Sequence, residues 1–370
     1  MEQFLTIYAT INIYVPIILI GVLVTITLFL IVVDKLLGGS GDRTITINDE
    51  IELKASGDDT ALNILAQNKI FIPSACGGKA TCGFCKFRLI EGGGDVKPTE
   101  EPFLSEEEKA RGVRLSCQVK VRENLKVEVP KELLNAQEYV TKVIAIEDLT
   151  YDTKLVRFEM IEPDEIHFKP GQYAQITVPG IDVIRAYSIA SNPKHAHFVE
   201  CIIRMVPKGQ ATTFVHKALE VGDRIKLTGP YGNFYLKEDS DKDMICIAGG
   251  SGKAPIRSIL YYLKDRGMPR KVKYFFGARS KRDLYYTEEF VELAKEFPNF
   301  EYIPALSEPL PEDNWQGEVG LITDVVDRHS GDLSESEGYL CGSPGMINAC
   351  ITVLKKNRMK EENIFFDKFS

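Results

Sequence analysis

The sequence predicts a multidomain chain: an N-terminal transmembrane helix, an α+β domain, an antiparallel β-barrel and an α/β domain built on an open sheet. Three observations carry this. The chain begins with a long run free of charge, continues from Gln137 to about Leu236 in short alternating strands, and ends in strand–helix alternation. At 370 residues it can hold two or three domains with cores of their own. A net charge of −8 and the lack of a basic stripe exclude a nucleic-acid footprint, so no nucleic acid is expected as a partner.

From Phe4 to Val33 no residue is charged. The centre of this run, Val15 to Val33, reads VPIILIGVLVTITLFLIVV. At 1.5 Å rise per residue it spans about 28 Å, close to the hydrocarbon thickness of a bilayer. A cleaved signal peptide would need a basic start and a small-residue cleavage site; here Glu2 precedes the run and Asp34-Lys35-Leu36-Leu37 follows it. A buried core helix would show a polar face, and this one shows none. Residues 1–36 therefore read as a single-pass span with the lipid bilayer as partner, and Gly38–Arg43 as a flexible linker. The sparse flanking charge favours a cytoplasmic C-terminal side.

Residues 37–131 hold four of the eight cysteines. SACGGKATCGFCKFRL supplies Cys76, Cys82 and Cys85, and RLSCQV supplies Cys117. The spacing C-x5-C-x2-C followed by a distant cysteine is one residue longer in its first gap than the plant-type ferredoxin pattern. Three thiolates in a tight loop and one from afar suit two irons bridged by two sulfides, with Gly77, Gly78 and Gly83 letting the backbone wrap a 2Fe-2S cluster. Structural zinc prefers paired C-x2-C knuckles, which Cys117 does not complete, and disulfides are disfavoured in a reducing compartment. The flanks agree with a ferredoxin domain: Thr44–Ser56 alternates as a hairpin, Asp59–Ile70 has helical spacing behind an acidic cap, and Asn124–Pro130 reads as a closing strand. Cys201, Cys246 and Cys350 lie in apolar stretches and read as small buried hydrophobes.

Residues 136–236 read as the barrel and 237–370 as the open-sheet domain. Near the start of the latter, IAGGSGKAPIRS looks like a phosphate loop. A P-loop would need glycine at 247 and a hydroxyl residue at 254, where Ile247 and Ala254 stand. A Rossmann G-x-G-x-x-G would become Gly250-Ser251-Gly252-Lys253-Ala254-Pro255, with proline at the third glycine; proline is well placed in a first helical turn. Ser251 can cap or hydrogen-bond, and Lys253 reads as a surface charge near a bound nucleotide.

RAYSIAS (Arg185–Ser191), placed between barrel strands, resembles the flavin fingerprint of the ferredoxin–NADP reductase superfamily. KGQATTF, GPYGNF, GGSGKAP and CGSPGM resemble its later motifs in the same order. The resemblance implies FAD, with Arg185 on the pyrophosphate, Tyr187 over the ring or ribityl chain, and the Ser188 hydroxyl near flavin N5. Gln210, Ala211 and Thr212 would add backbone and hydroxyl donors at a helix N-terminus. Gly249, Gly250, Ser251, Gly252 and Pro255 would form the pyridine-nucleotide turn. Cys341, with Gly342 beside it, would lie near the nicotinamide carbon that gives up hydride; a buried inert cysteine is the alternative. Arg279, in GARSKRDLYY, would face the adenosine part of NADH, or the 2′-phosphate of NADPH.

The order of helix, ferredoxin, FAD barrel and NAD domain is similar to the F subunits of the sodium-translocating NADH:quinone oxidoreductases. EGGGDVKPTE, RLSCQV, PEDNW and the tail ENIFFDKFS also resemble that family. It implies hydride transfer from NADH as substrate to FAD, then single electrons to the cluster and on to membrane subunits that reduce quinone and translocate sodium. It also implies the inner (cytoplasmic) membrane with the cofactor domains in the cytoplasm, and a terminal aromatic, here Phe369, covering the flavin. Two features depart from it: only Thr177 to Ile184 separate the barrel strand from Arg185, where the family has a longer insertion, and Lys253 stands where an apolar residue is usual. A tethered reductase for another acceptor such as an oxygenase, and a non-catalytic electron carrier, are the rival readings. The five histidines form no metal-ligand pattern.

Overall fold

The computed structural model describes residues 2–37, 43–55, 58–181 and 183–369. The linker reading at 38–42, Ser56 of the hairpin reading and Asp182 lie outside the described residues. Helix α1 (Glu2–Leu37) carries the apolar run. Its segment Tyr14–Val33 has a mean hydropathy of 3.0 and none of it is buried in the protein, which rules out a core helix. The hydroxyls of Thr25 and Thr27 donate to Gly21 O and Leu23 O one turn back, both at 2.7 Å, so these polar groups are satisfied within the helix, as an apolar surrounding requires.

The next domain is a five-stranded sheet of β1 (Arg43–Ile47), β2 (Ile51–Ala55), β3 (Lys86–Glu91), β4 (Val113–Leu115) and β5 (Leu125–Glu128), in the order β2-β1-β5-β3-β4. The expected hairpin is β1–β2, turned through Asn48 and Asp49, both at positive φ. Helix α2 (Ala61–Gln67) buries Ala61, Leu62, Ile64 and Leu65. Its cap is Thr60, whose hydroxyl accepts from Asn63 N, and not the acidic Asp59, which binds Thr60 N and the Asn63 amide. The shorter side chain at the boundary reaches the N3 amide.

A short helix α3 (Glu106–Ala110) follows, closed by a Ser105–Glu108 capping box. Beneath it lies an ion pair that nothing in the local sequence announces. The carboxylate of Glu100 takes Nε and Nη2 of Arg114, at 3.0 and 2.7 Å, together with Leu115 N and Lys97 N. The same guanidinium donates to Gly94 O at 2.6 Å and Asp95 O at 2.8 Å. Both side chains are essentially inaccessible, and β4, which leads to Cys117, is fastened to the glycine-rich loop through them.

The barrel consists of β6 (Gln137–Thr150), β7 (Thr153–Glu162), β8 (Tyr173–Val178), β9 (Val183–Ser188), β10 (Phe198–Arg204) and β11 (Arg224–Tyr231), ordered β10-β7-β6-β11-β8-β9. A bridge between Ile189 and Cys201 joins the two edges and closes it. The flavin fingerprint therefore lies in a strand and not between strands: Arg185 to Ser188 end β9, paired in register with β8 from Ile176 to Tyr173. Helix α4 (Gln210–Lys217) packs on the β8–β9 hairpin through Ala211 and Phe214 against Val178 and Val183.

The last domain is an all-parallel sheet of β12 (Asp243–Gly249), β13 (Val272–Ala278), β14 (Phe300–Leu306), β15 (Glu318–Val319), β16 (Ser336–Gly342) and β17 (Ile364–Lys368). Its order, β15-β14-β13-β12-β16-β17, reverses beside β12. Crevices at such switch points, beyond the carboxyl ends of the strands, are where open α/β sheets bind ligands. Helices α5 (Lys253–Lys264), α6 (Thr287–Glu296), α7 (Ile322–Ser330) and α8 (Pro344–Lys356) cover the sheet. Cys201, Cys246 and Cys350 are fully buried, as expected.

The buried pair yields a stability prediction. Burial raises the Glu100 carboxyl, but Arg114 and the amides of Lys97 and Leu115 outweigh it and hold it below the usual value of 4.5. Its stabilisation is complete above that unfolded value and is lost as pH falls through the lower folded one. Glu100→Gln should lower stability by about 3 kcal/mol at neutral pH, because Arg114 is left buried without its counter-charge. It should also flatten the stability profile below pH 4.5, as read by thermal unfolding across pH.

Candidate functional site

The four cluster cysteines fall into two pairs. Cys76 Sγ lies 3.3 Å from Cys82 Sγ, and Cys85 shares a hydrogen bond with Cys117. Two thiol pairs are what two irons, each with two protein sulfurs, require, so the residues fit a 2Fe-2S group. Backbone amides point at the sulfurs, as the wrapped loop predicts: those of Thr81 and Lys79 at Cys76, Phe84 at Cys82 and Ala80 at Cys117. Burial raises Cys76, yet the Thr81 amide and Cys82 hold it at about 7. The bond from Cys85 brings Cys117 to about 6 against its burial. Gly83 takes φ +71°, and a Cβ there would stand 2.8 Å from the Phe103 ring.

This loop rests against the barrel. Arg185 Nη1 donates to Ala75 O at 3.0 Å and to Ile184 O at 2.7 Å. The buried Gln175 side-chain oxygen, with its amide oriented to satisfy both ends, accepts from Ser74 N at 2.9 Å and Ala75 N at 3.3 Å. Next to them the Tyr173 phenol is pushed up, first by its burial and then by the Asp367 carboxylate, Tyr231 and Cys82. The cluster loop thus rests on barrel strands β8 and β9.

The predicted flavin residues gather beside it with partly different tasks. Ser188 is buried at the end of β9. The hydroxyl of Tyr187 is buried without a hydrogen-bond partner, which suits a polar ligand atom. Arg185 is exposed at the surface and bonds backbone carbonyls. Gln210, Ala211 and Thr212 occupy the first turn of α4, whose amides lack helical acceptors. The Thr212 hydroxyl is not free as a donor: it binds Gly209 O at 3.2 Å and accepts from Val206 N at 3.1 Å, closing the turn before its own helix. An orphaned phenol, an open guanidinium and an unfilled helix start fit FAD.

At the switch point a cleft of about 310 Å³ opens between barrel and sheet. Thr150, Asp152 and Arg204 line one side, and Gly250, Arg279, Tyr285, Ser343 and Met346 the other. Arg279 is exposed and paired with Glu308 at 2.7 Å. The turn Gly250–Gly252 forms a single 3-10 turn before α5. Gly252 is pressed on β16 so tightly that a Cβ would run into Cys341 O and come within 2.9 Å of Gly342 N. Gly249 and Gly252 occupy the cap positions, so Ser251 does not cap, and Pro255 falls in the first turn as expected. Cys341 is inaccessible; burial, then Asp367, push its thiol well up, so it is a neutral S–H at neutral pH. Phe369 packs on the core of this domain, its amide donating to Gly342 O at 2.9 Å.

One reading changes here. Lys253 is not a surface charge: it is completely buried under aromatic rings supplied from β13, β14, α6 and the segment before α6. Tyr285, which no motif spacing marks, donates its hydroxyl to Gly250 O at 2.7 Å and holds the turn. Arg204 and Asp152, paired at 2.8 Å across the cleft wall, are likewise legible only in three dimensions.

Comparison with known proteins agrees with this geometry. The 2Fe-2S iron-sulfur cluster binding domain matches residues 45–122, the oxidoreductase FAD-binding domain 140–235 and the oxidoreductase NAD-binding domain 246–351. The chain is 35% identical to the F subunit of the Na(+)-translocating NADH-quinone reductase of Neisseria gonorrhoeae, covering 94% of this chain and 96% of the relative. It is 36% identical to the protein of that name from Actinobacillus succinogenes, over the same shares. Each of these alignments is longer than the 370-residue chain, so the relatives carry residues this chain lacks. Among solved structures, the Amycolatopsis cytochrome P450 reductase GcoB superposes with a TM-score of 0.74 at 29% identity, covering 88% of this chain and 98% of that one. The ferredoxin reductase in carbazole 1,9a-dioxygenase gives 0.70 at 28%, covering 89% and 99%.

The close approach at Gly252 is testable. Gly252→Ala should destabilise the protein by about 2 kcal/mol or more, since backbone must move to admit one methyl. Gly345→Ala, where a Cβ would meet nothing within 4 Å, serves as the control in the same thermal-unfolding measurement.

Proposed function

The chain belongs to the family of F subunits of the sodium-translocating NADH-quinone reductases, and from that premise we propose that it is the NADH-oxidising component of a multi-subunit membrane complex. The single observation that best supports this reading is the contact of the cluster loop with the flavin strands of the barrel, where Arg185 on β9 and Gln175 on β8 bond the backbone at Ser74 and Ala75. FAD, when bound, accepts hydride from NADH and gives up electrons singly to the 2Fe-2S cluster, which joins a two-electron donor to one-electron acceptors.

The residues divide the remaining work. Cys76, Cys82, Cys85 and Cys117 would hold the cluster, with backbone amides supporting the sulfurs. Arg185 and the first turn of α4 would receive the FAD pyrophosphate, Tyr187 would offer its unpartnered hydroxyl, and Ser188 would lie at the flavin edge. The turn Gly249–Gly252 and Arg279 bind the nicotinamide nucleotide along the cleft. Cys341 keeps a neutral thiol beneath the nicotinamide and adds no competing charge. Phe369, tied to Gly342 through its amide, would cover the reacting face until the nicotinamide displaces it. Helix α1 anchors the chain in the inner membrane with the cofactor domains on the cytoplasmic side. Electrons then pass to membrane subunits that reduce quinone and translocate sodium.

A second reading has specific support. The P450 and dioxygenase reductases share this chain's architecture over nearly their whole length, and the chain is shorter than its family alignments. It would then serve a different acceptor with the same half-reactions. Co-purification with other membrane subunits and sodium-stimulated quinone reduction are expected of the first reading; absence of both would favour the second.

Two outcomes test the division of labour. Mixed with NADH in a stopped-flow instrument, the purified protein should bleach at flavin wavelengths; no bleaching would leave only an electron carrier. Cys76→Ala should keep that bleaching and stop transfer onward from the flavin to the cluster, read as loss of the reduced-cluster electron paramagnetic resonance signal. If it stops flavin reduction as well, the proposed order of the two centres is wrong.

A further inference from the structure

Lys253 has no task in the mechanism above, and its surroundings are unusual for a lysine. Its Nζ lies 3.6 Å from the ring centroid of Phe276, 4.5 Å from Tyr285, 5.2 Å from Phe290 and 5.7 Å from Tyr302. Its hydrogen bond goes to the backbone oxygen of Tyr285. Among the described residues no carboxylate lies within ion-pairing distance of it, and it occupies the first position of α5, the end of a helix that disfavours a cation. The charged groups facing it are Glu289 and Glu288 on α6, which favour the ammonium, and Arg257 on α5, which opposes it; Tyr274, Tyr285 and Tyr302 supply phenols. Glu289 is itself raised by burial, its buried Oε1 making no hydrogen bond and lying 4.0 Å from Arg257 Nε. A methionine of similar length would fill the same space without burying a charge.

What methionine could not do is hold Tyr285. Lys253 Nζ binds the carbonyl of Tyr285, and the hydroxyl of Tyr285 binds Gly250 O at 2.7 Å. The circuit runs from Lys253, directly after the Gly250–Gly252 turn, back to Gly250 at its start. Gly250 and Tyr285 both line the nucleotide cleft. The rings replace the water that an ammonium loses on burial.

We propose that Lys253 is a positioning residue for the dinucleotide: its amine, caged by four aromatic rings, fixes Tyr285 so that the Gly250–Gly252 turn presents its amides to the diphosphate. The proposal rests on the NADH reading and deepens it. Burial holds the Lys253 amine well below its ordinary value of 10.5, and a bound diphosphate at the start of α5 favours its ammonium form, so binding takes up a proton and NADH is held more tightly at lower pH.

The test is flavin reduction by NADH in the full-length protein with both cofactors, followed by stopped flow over NADH concentration and pH. Lys253→Met should raise the half-saturating NADH concentration about tenfold and leave the limiting rate within about twofold. Its unfolding temperature should not fall, because a desolvated amine has been replaced by an apolar chain of similar length. Tyr285→Phe keeps the ring and the carbonyl and deletes only the bond to Gly250; it should show the same split and decides the matter if Lys253→Met does not fold. In the wild type the half-saturating concentration should rise with pH, and Lys253→Met should lose that slope. Unchanged half-saturation in folded variants, a loss confined to the limiting rate, or an unaltered pH slope would each overturn the proposal. A wild-type flavin that NADH does not reduce removes the functional reading itself, and this proposal with it.

Discussion

The nucleotide half of the molecule depends on how closely one turn can lie on one strand. The turn after β12 meets the backbone of β16 at Gly252, where Cys341 O and Gly342 N leave no space for a side chain. From that contact follow the position of Gly250 at the cleft, the burial of Cys341 and the place where α5 begins. Packing this dense cannot be adjusted gradually; a methyl group is felt as a displacement of backbone. The glycine at this position is set more by the strand beside it than by any ligand above it.

The cluster half is governed by different physics. Its loop has little apolar mass, and its shape comes from left-handed residues and from amides directed at sulfur. What keeps the distant Cys117 in place is electrostatic: the Glu100–Arg114 pair ties β4 to the loop at Gly94 and Asp95. Removing water from both charges demands that every donor and acceptor find a partner, and here backbone groups complete the set. Both halves thus use backbone atoms as the working surface, one to exclude side chains and the other to supply donors.

Much of this can be read from the chain itself. The apolar run, the cysteine spacing and the change from period-two strands to strand–helix alternation each rest on local pattern, and each corresponds to an observed element. The failures share a cause. Asp59 and Thr60 are both fair caps, and only the turn geometry chooses between them. Arg185–Ser188 looks like a connection because its alternation is short, and its pairing partner β8 supplies the evidence that it is a strand. Thr212 looks available until Val206 N and Gly209 O are seen to occupy it. Lys253, between a glycine turn and a helix, has the local signature of an exposed residue. Its burial is written in Phe276, Tyr285, Phe290 and Tyr302, residues scattered over two strands, a helix and the segment before it, which the fold alone assembles.

The closure of the barrel by the Ile189–Cys201 bridge has a consequence for how its neighbour is held. A closed barrel offers no free strand edge, so the cluster domain cannot extend its sheet into the middle domain and the two cannot share a continuous ladder. Their contact at Ser74 and Ala75 is made by side chains of Arg185 and Gln175 on backbone groups. Bonds of this kind contribute about 1 kcal/mol each in net terms, so they can part and re-form without disturbing either core. The joint is a latch and not a weld.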